Sequence, residues 1–345
     1  MRILYISNTS RTYAPIIDPS VRYRCFNFAR ELSNNPQHLV DVVAFSNFDP
    51  HQLTYNYDVA IFHKPRYSIK LKQAIKILKN LNKKYFADYD DFIFNAKYLK
   101  ETSIYKNNVL PKENIRLILE SNQNAINLFE NFIVSTDFLA EKIKELNKSA
   151  KVLVLYNSIS QKWLDIAKYY HRSKSKRNNI KVIGYFCGTL SHNLDFKLIE
   201  NRLYNFLNKC KNVRLKILGP LSFSTILKDK VEAMPVVPFM EMPKHIADCD
   251  VTIAPLENTI FNNSKSSIKF LESMSVGTPC VVSPIPDMKR HVNNGVVLSE
   301  LNNWELMLEK CLFDQKFINE KKHQFNKNIN KLMISNEIKK LEKIL

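Results

Sequence analysis

The chain alternates short apolar bursts with longer stretches in which apolar residues return every three or four positions. Bursts at Ile3–Ile6, Val40–Phe45, Val59–Phe62, Tyr85–Ala87, Phe132–Val134 and Val152–Leu155 read as strands. Between them, Val21–Leu32, Ile69–Leu81 and Ile115–Leu128 read as helices with one apolar face. Strands that are apolar at nearly every position are buried on both sides, as in a parallel sheet covered by helices. A polar, basic stretch at 165–179, DIAKYYHRSKSKRNN, contains no strand and interrupts the series. The pattern then resumes with strands at Lys181–Phe186, Val213–Leu218, Val251–Ala254, Cys280–Ser283 and Val296–Leu298. Helices fall at Asp195–Asn208, Pro243–Cys249 and Lys265–Ser275. The pattern predicts an α/β protein of two Rossmann-like domains, 1–165 and 180–315, with a cleft between them. A helical tail, 316–345, remains to cross back to the first domain.

Composition adds a partner question. At 345 residues, 45% hydrophobic and 24% charged, the chain can build two cores. Lys and Arg number 51 against 33 Asp and Glu, a formal charge of +18. Such an excess points to an anionic partner (nucleic acid, an acidic membrane surface or a phosphorylated substrate) or to a Lys-, Asn- and Ile-rich compositional habit. Nucleic-acid binding calls for stacking aromatics interleaved with cations, whereas the tyrosines and phenylalanines here sit in apparent core positions, so that class is set aside. The six cysteines form no CxxC pair and no zinc-type spacing, and read as reduced thiols of a cytoplasmic protein. MRILYISNTS reads as a first strand rather than a signal peptide, and no apolar stretch reaches the roughly 20 residues that span a bilayer. Segment 68–84, SIKLKQAIKILKNLNKK, reads as a helix with Ile, Leu and Ala inward. Its lysines, Lys70, Lys72, Lys76, Lys79, Lys83 and Lys84, would face solvent or the anionic inner face of a membrane.

All five glycines, Gly184, Gly188, Gly219, Gly277 and Gly295, lie in the second half. The first half therefore has no glycine-rich dinucleotide loop, and the second is the better phosphate cradle. Residues 263–283 read NSKSSIKFLESMSVGTPCVVS. With a helix over 264–275, Lys265, Lys269 and Glu272 share one narrow arc, while Ile268, Leu271 and Met274 face a core. Asn262, Asn263 or Ser264 would cap its start and Gly277 its end. A helix N-terminus with two lysines suits a diphosphate, and a glutamate further on suits a ribose diol; a solvated Lys–Glu face fits the spacing equally.

In DYDD, Asp88-Tyr89-Asp90 is a DxD triplet of the kind that holds a divalent metal. Alternatively Asp90 or Asp91, at a strand end facing the cleft, orients an acceptor hydroxyl or simply caps a helix. Arg22 and Arg24 offer forks to phosphate or to an anionic acceptor, or pair on a helix surface. His63, at a strand end, and His192, in the 188–193 loop, are cleft candidates or ordinary loop histidines.

FNNSKSSIKFLESMSVGTPCVVSPI, 261–285, resembles the donor-site signature of family-4 (group 1) glycosyltransferases, which have the GT-B fold. GYFCGTLSHNLDF at 184–196 and DCDVTIAPL at 248–256 are similar to the donor domain's opening strand and the strand feeding the signature helix. DPSVRYRCFNFARELS at 18–33, FADYDDFIF at 86–94, VSTDFLAEKI at 134–143 and VLYNSI at 154–159 resemble acceptor-domain segments of bacterial members. The resemblance implies a nucleotide-sugar donor held by the second domain, transfer with retention and no essential metal. It implies Glu272 on the ribose, Lys265 on the diphosphate with Lys269 assisting, and Gly188–Thr189 beside the phosphates, with His192 nearby. It implies a glycan or lipid-linked glycan acceptor in cell-surface polysaccharide assembly. Many members carry a further glutamate eight residues before the ribose glutamate, where this chain has Ser264; Asn262 or Asn263 is then left to contact the sugar. That departure keeps a non-catalytic or epimerase relative open. The DxD triplet keeps open a metal-dependent GT-A enzyme using Asp88 and Asp90.

Overall fold

The computed structural model describes residues 1–172 and 179–345, so residues 173–178 of the predicted linker lie outside the described residues. Among the described residues, twelve strands form two six-stranded sheets, parallel throughout. The first contains β1 (Arg2–Ser7), β2 (Leu39–Ala44), β3 (Val59–His63), β4 (Lys84–Tyr89), β5 (Asn131–Val134) and β6 (Lys151–Val154), in the order β2-β1-β3-β4-β5-β6. The second contains β7 (Lys181–Phe186), β8 (Val213–Leu218), β9 (Val231–Met234), β10 (Val251–Ala254), β11 (Cys280–Val282) and β12 (Val297–Leu298), in the order β12-β11-β10-β7-β8-β9.

Central strands are buried along their length, as their unbroken apolar runs require; all of Val59–His63 and Val251–Ala254 is buried. Alternate side chains feed two cores per sheet. Leu4, Ile6, Ala60 and Phe62 enter one core of the first domain, and Ile3, Tyr5, Val59 and Ile61 the other. Strand β9 has no such signature: VEAM lies half-exposed at a sheet edge, and sequence pattern missed it.

The stretch after residue 160 is not a plain linker. Gln161–Arg172 is a helix whose Trp163, Leu164 and Ala167 pack into a second-domain core with Ile246, Ala247 and Met274. Near the end of the chain, the helix Ile334–Glu342 puts Ile334, Ile338 and Leu341 into the first domain's core beside Val21, Phe28 and Leu32. The chain therefore crosses between the domains twice. The two crossings are tied by a parallel bridge: Ile159 N donates to Leu332 O at 3.1 Å, and Ile334 N to Ile159 O at 2.9 Å.

The lysine-rich helix is Ile69–Asn80, capped by Ser68, with Leu71, Ala74, Ile75 and Leu78 inward. Its lysines do not all face outward. Lys70 turns onto the carbonyls of Phe45 and Ser46, Lys83 onto those of Leu53 and Thr54, and Lys84 onto those of Ile344 and Leu345. Lys72, Lys76 and Lys79 remain exposed without such bonds, and Lys84 is exposed despite them. No helix among the described residues is long and apolar enough to cross a membrane.

Candidate active site

In an open parallel sheet, ligands bind at the carboxyl ends of two adjacent strands whose connections leave in opposite directions. In the first sheet those strands are β1 and β3, and in the second β7 and β10. Nearly every candidate residue lies just past one of these ends or on the helix that follows.

On the first-domain side, His63 closes β3 and is buried. Its Nδ1 lies 2.9 Å from Ser7 Oγ and its Nε2 2.9 Å from Ser20 Oγ. Ser20 Oγ donates to Asp90 Oδ2 at 2.5 Å. Next comes Lys64, held in the left-handed region at φ 51°. Its ammonium reaches Asp90 Oδ1 at 2.8 Å and Asp91 Oδ2 at 2.9 Å. Burial opposes the Asp90 charge, but Lys64 and His63 outweigh it and hold that carboxyl well below its usual range. Burial likewise opposes Asp91, and Lys265 with Lys64 holds it low. Both are therefore anions at neutral pH, suited to orienting a hydroxyl and poor at taking its proton.

Arg24 and Asp88 do other work. Arg24 meets both oxygens of Asp88, at 2.9 and 3.0 Å, and also bonds Leu155 O and Asn157 Oδ1. Arg24 is 1% and Asp88 2% exposed. Arg24 is thus a core ion-pair residue and not a phosphate fork. Asp88, spent on Arg24, cannot pair with Asp90 to hold a metal, so the donor set of the GT-A alternative does not fit. Among the described residues no group of three or more His, Cys, Asp or Glu is placed to hold a metal ion.

On the second-domain side, the chain between β10 and the signature helix runs across the cleft floor. Phe261 inserts among first-domain core residues. Asn262 Nδ2 donates to Asp195 Oδ1 at 2.9 Å and to Glu257 O at 3.0 Å. Ser264 is fully buried: its hydroxyl donates to Phe261 O and accepts from Phe92 N of the first domain. Ser264 is therefore an interdomain joint, and the structure gives it no donor-facing atom.

The signature helix starts later than spacing suggested, at Ile268 and not near residue 264. Residues 262–264 form a single 3-10 turn, and Lys265 is extended at φ −66°, ψ 143°. Tertiary bonds set this start: Ser267 N donates to Asp287 Oδ2 at 2.7 Å, and Ser267 Oγ lies 2.8 Å from buried His291 Nε2. The cap comes from Asp287, not from Asn262, Asn263 or Ser264. Lys265 is therefore off the helix. Its ammonium stands over the Phe261 ring at 4.6 Å and reaches Asp91 Oδ1 at 2.5 Å.

Lys269 and Glu272 are on the helix and border a cavity of about 20 Å³ beneath it, with Phe186, Met242 and Cys280. Burial lowers the Lys269 ammonium from its usual value, and its charge stands 5.5 Å over the Tyr185 ring. Burial raises the Glu272 carboxyl, against the pull of Tyr23, Arg22 and Lys269. The Tyr23 hydroxyl, from the first domain, donates to Glu272 Oε1. Arg22 is tied to the carbonyls of Ile16 and Ile17 and lies 4.0 Å over Phe239 of the second domain. A π turn over Arg22–Phe26 widens the helix here and sends Arg22 and Tyr23 to the cleft while Arg24 enters the core.

Gly188 and Thr189 form an exposed loop past β7, and a side chain at Gly188 would meet open space. His192 Nδ1 pairs with Asp195 Oδ2 at 3.0 Å; burial, with the Lys269 charge, pushes the ring down to about 4, so it is neutral at pH 7. The structure thus gathers Lys265, Asp90, Asp91, His63 and Lys64 at one junction and Lys269, Glu272 and Arg22 at another. Lys64, Ser20, Tyr23 and Asp195 were not singled out from sequence. Asp195 had one available signal, its i+3 spacing from His192 on a helix's first turn.

The domains are drawn together around this site. Lys106 bonds both oxygens of Glu257 at 3.0 Å, Asn107 bridges Ser191 O and Leu194 N, and Asn157 Nδ2 donates to Ser266 Oγ.

Comparison with known proteins bears on the fold and on the second domain. Residues 181–312 match the sequence profile of the family Glycosyl transferases group 1. No curated protein matches the chain. Sucrose-phosphate synthase from Thermosynechococcus elongatus superposes with a TM-score of 0.68 at 11% identity, covering 99% of this chain and 98% of that one. A glycosyltransferase from Rickettsia africae ESF-5 gives 0.66 at 12% identity, covering 99% and 97%. An α,α-trehalose-phosphate synthase (UDP-forming) from Burkholderia xenovorans, solved with glucose-6-phosphate, gives 0.66 at 10% identity, covering 99% of each. At such identities the likeness establishes the fold, and the profile match establishes the family of the second domain. The second domain is a group 1 glycosyltransferase domain, carried in a chain of GT-B fold.

Proposed function

We propose that this protein is a retaining glycosyltransferase that moves a sugar from a nucleotide-sugar donor to a hydroxyl of a glycan or lipid-linked glycan, without an essential metal. One observation carries the reading: Lys265 and Glu272 of the profile-matched domain both reach first-domain groups past the switch points, Lys265 the Asp91 carboxylate and Glu272 the Tyr23 hydroxyl. Glu272 binds the ribose diol, and Lys265 meets the diphosphate, with Lys269 adding charge behind it. Gly188 and Thr189 leave open space for the phosphates, and neutral His192 offers a polar contact beside them.

The acceptor hydroxyl attacks the anomeric carbon on the side the nucleotide leaves from. The bond to the diphosphate oxygen breaks, and that oxygen takes the hydroxyl proton. Lys265 stabilises the charge that develops there. Asp90 and Asp91 orient the hydroxyl, held in place by Lys64 and Ser20.

The test is thermal unfolding with UDP, GDP, dTDP and CMP, each with magnesium and with chelator. A ligand at 100 times its dissociation constant adds about 2.7 kcal/mol, readily seen as a shift in Tm. One nucleotide should stabilise the protein in chelator, and Glu272→Ala should lose that shift. Equal nucleotide affinity in wild type and Glu272→Ala would overturn the donor assignment. Stabilisation only with magnesium would overturn the metal-free reading.

A lipid-linked acceptor is favoured by the rim of the first domain. Tyr13, Ile17 and Ile69 are 100%, 52% and 78% exposed, and Lys72 and Lys76 follow on the same helix as Ile69. Loop and helix adjoin, since Asn47 Nδ2 donates to Thr12 O and Lys70 Nζ to Phe45 O and Ser46 O. Apolar side chains beside lysines suit an anionic lipid surface and an acylated acceptor in cell-surface polysaccharide assembly. Sedimentation with phosphatidylglycerol vesicles should carry the protein down and pure phosphatidylcholine should not. Equal behaviour with both would remove the membrane from the reading.

A further inference from the structure

Asp195 accepts three hydrogen bonds, and two of them fix the polarity of a neighbour. It stands on the first turn of the helix Asn193–Lys209, buried at 4% exposure. Its Oδ1 accepts from Glu257 N and from Asn262 Nδ2, both at 2.9 Å, and its Oδ2 lies 3.0 Å from His192 Nδ1. A carboxylate only accepts, so each partner must turn a hydrogen toward it.

The Asn262 amide therefore has one orientation. One Nδ2 hydrogen goes to Asp195 and the other to Glu257 O at 3.0 Å. Reversing the amide would set its oxygen against both of those acceptors. Its Oδ1 is thus turned away from them, and it is buried with no hydrogen-bond partner among the described residues. The His192 ring has one tautomer for the same reason. It is neutral, and its single N–H is on Nδ1, facing Asp195. Nε2 then carries a lone pair, on a side chain that is 19% exposed. One carboxylate has made an acceptor of both neighbours.

An acceptor repels a phosphate oxygen and takes the hydrogen of a hydroxyl. Both acceptors stand next to the groups assigned to the phosphates. Asn262 is three residues before Lys265, His192 is three after Thr189, and the Lys269 charge acts on the His192 ring. Ser264 points its hydroxyl at Phe261 O and Phe92 N, so it offers the sugar nothing. We propose that Asp195 is a positioning residue for the donor's sugar: it holds His192 Nε2 and Asn262 Oδ1 as acceptors for two sugar hydroxyls. The inference rests on the donor-site reading above and adds which groups read the sugar. The substrate class is a sugar with two free hydroxyls on the edge that faces these atoms. Pairing the buried Asn262 oxygen with one of them offsets the cost of its burial.

Asp195→Asn tests this with little change of shape. The new amide can still accept from Glu257 N and Asn262, but it turns an N–H toward His192 Nδ1. The ring hydrogen then moves to Nε2, and an acceptor becomes a donor. Titration calorimetry on the full chain would compare UDP with UDP-glucose, UDP-galactose and UDP-N-acetylglucosamine, GDP with GDP-mannose, and dTDP with dTDP-rhamnose. In wild type one nucleotide-sugar should bind more tightly than its bare nucleotide. Asp195→Asn should bind that nucleotide-sugar about tenfold more weakly, the effect of one misdirected hydrogen bond, and the bare nucleotide as wild type does. Asn262→Ala and His192→Phe should each do the same; both leave Asp195 its other two donors and serve if Asp195→Asn fails to fold. Nitrogen NMR of histidine-labelled protein, with His192→Phe to assign the signal, should place the proton on Nδ1 in wild type and on Nε2 in Asp195→Asn. A proton on Nε2 in wild type, or an imidazolium in its nucleotide-sugar complex, would overturn the inference. So would variants that keep wild-type affinity for the nucleotide-sugar, or that lose affinity for sugar and bare nucleotide alike, or a wild type in which no sugar adds affinity; in each case the donor site stands. If wild type binds none of these nucleotides or nucleotide-sugars, the donor-site reading falls and this inference with it.

Discussion

Lys265→Ala lowers the rate of sugar transfer by about 100- to 1,000-fold, the loss seen when one preorganised donor to a developing oxyanion is removed. The expectation rests on placement. Lys265 sits on an extended segment past β10, and its ammonium reaches across to the first domain. Its neighbourhood is partly closed from water, with 27% of the side chain exposed, so its charge acts through a low local dielectric. The variant should also fold normally, because Asp91 retains Lys64 and the segment is pinned by Asn262, Ser264 and Ser267 rather than by the lysine. The effect should fall on kcat at saturating donor, because the lysine's charge counts most where the leaving phosphate's charge develops. Unchanged kcat in a folded variant that still binds nucleotide would remove Lys265 from the chemistry.

Arg24→Ala has the largest expected effect on stability. It leaves the Asp88 carboxylate uncompensated at 2% exposure and strips Leu155 O and Asn157 Oδ1 of their donor. Removing one partner of a buried pair costs about 3–5 kcal/mol. For a domain of this size that lowers the Tm on the order of 10 °C. Replacing both partners with apolar residues, Arg24→Met with Asp88→Leu, should recover much of the loss, because the penalty is that of a stranded charge. Calorimetry of the single and double variants checks both statements. A single variant with wild-type Tm would mean that Asp88 is neutral in the folded protein.

These two residues show what the sequence could and could not convey. Lys265 stands in a contiguous motif whose spacing to Glu272 and to the Gly277 turn is local, so it could be singled out as a candidate from the sequence. Arg24 and Asp88 lie 64 positions apart, and nothing local separates a core ion pair from a cleft-facing fork and a DxD triplet. The central strands were legible because an unbroken apolar run has few other uses in an α/β chain. Strand β9, with two exposed residues in VEAM, has no such run and exists because an edge of β8 was open to pair. The start of the signature helix was misplaced by three or four residues for the same reason: Asp287 and His291, from beyond β11, decide where it begins. Tyr23 was unreadable as an interdomain residue because its partner Glu272 lies 249 positions away, and the π turn over Arg22–Phe26 leaves no mark in the composition.

The bridge between Ile159 and Met333 has a mechanical consequence. It fastens the two crossings side by side, so the domains share a pin as a door shares one with its frame. Sliding one domain past the other would shear two backbone hydrogen bonds at once, whereas swinging about the pin leaves both intact. Opening is then a rotation with a fixed axis, and the gap it creates widens with distance from that axis. The gap therefore opens on the side away from the pin.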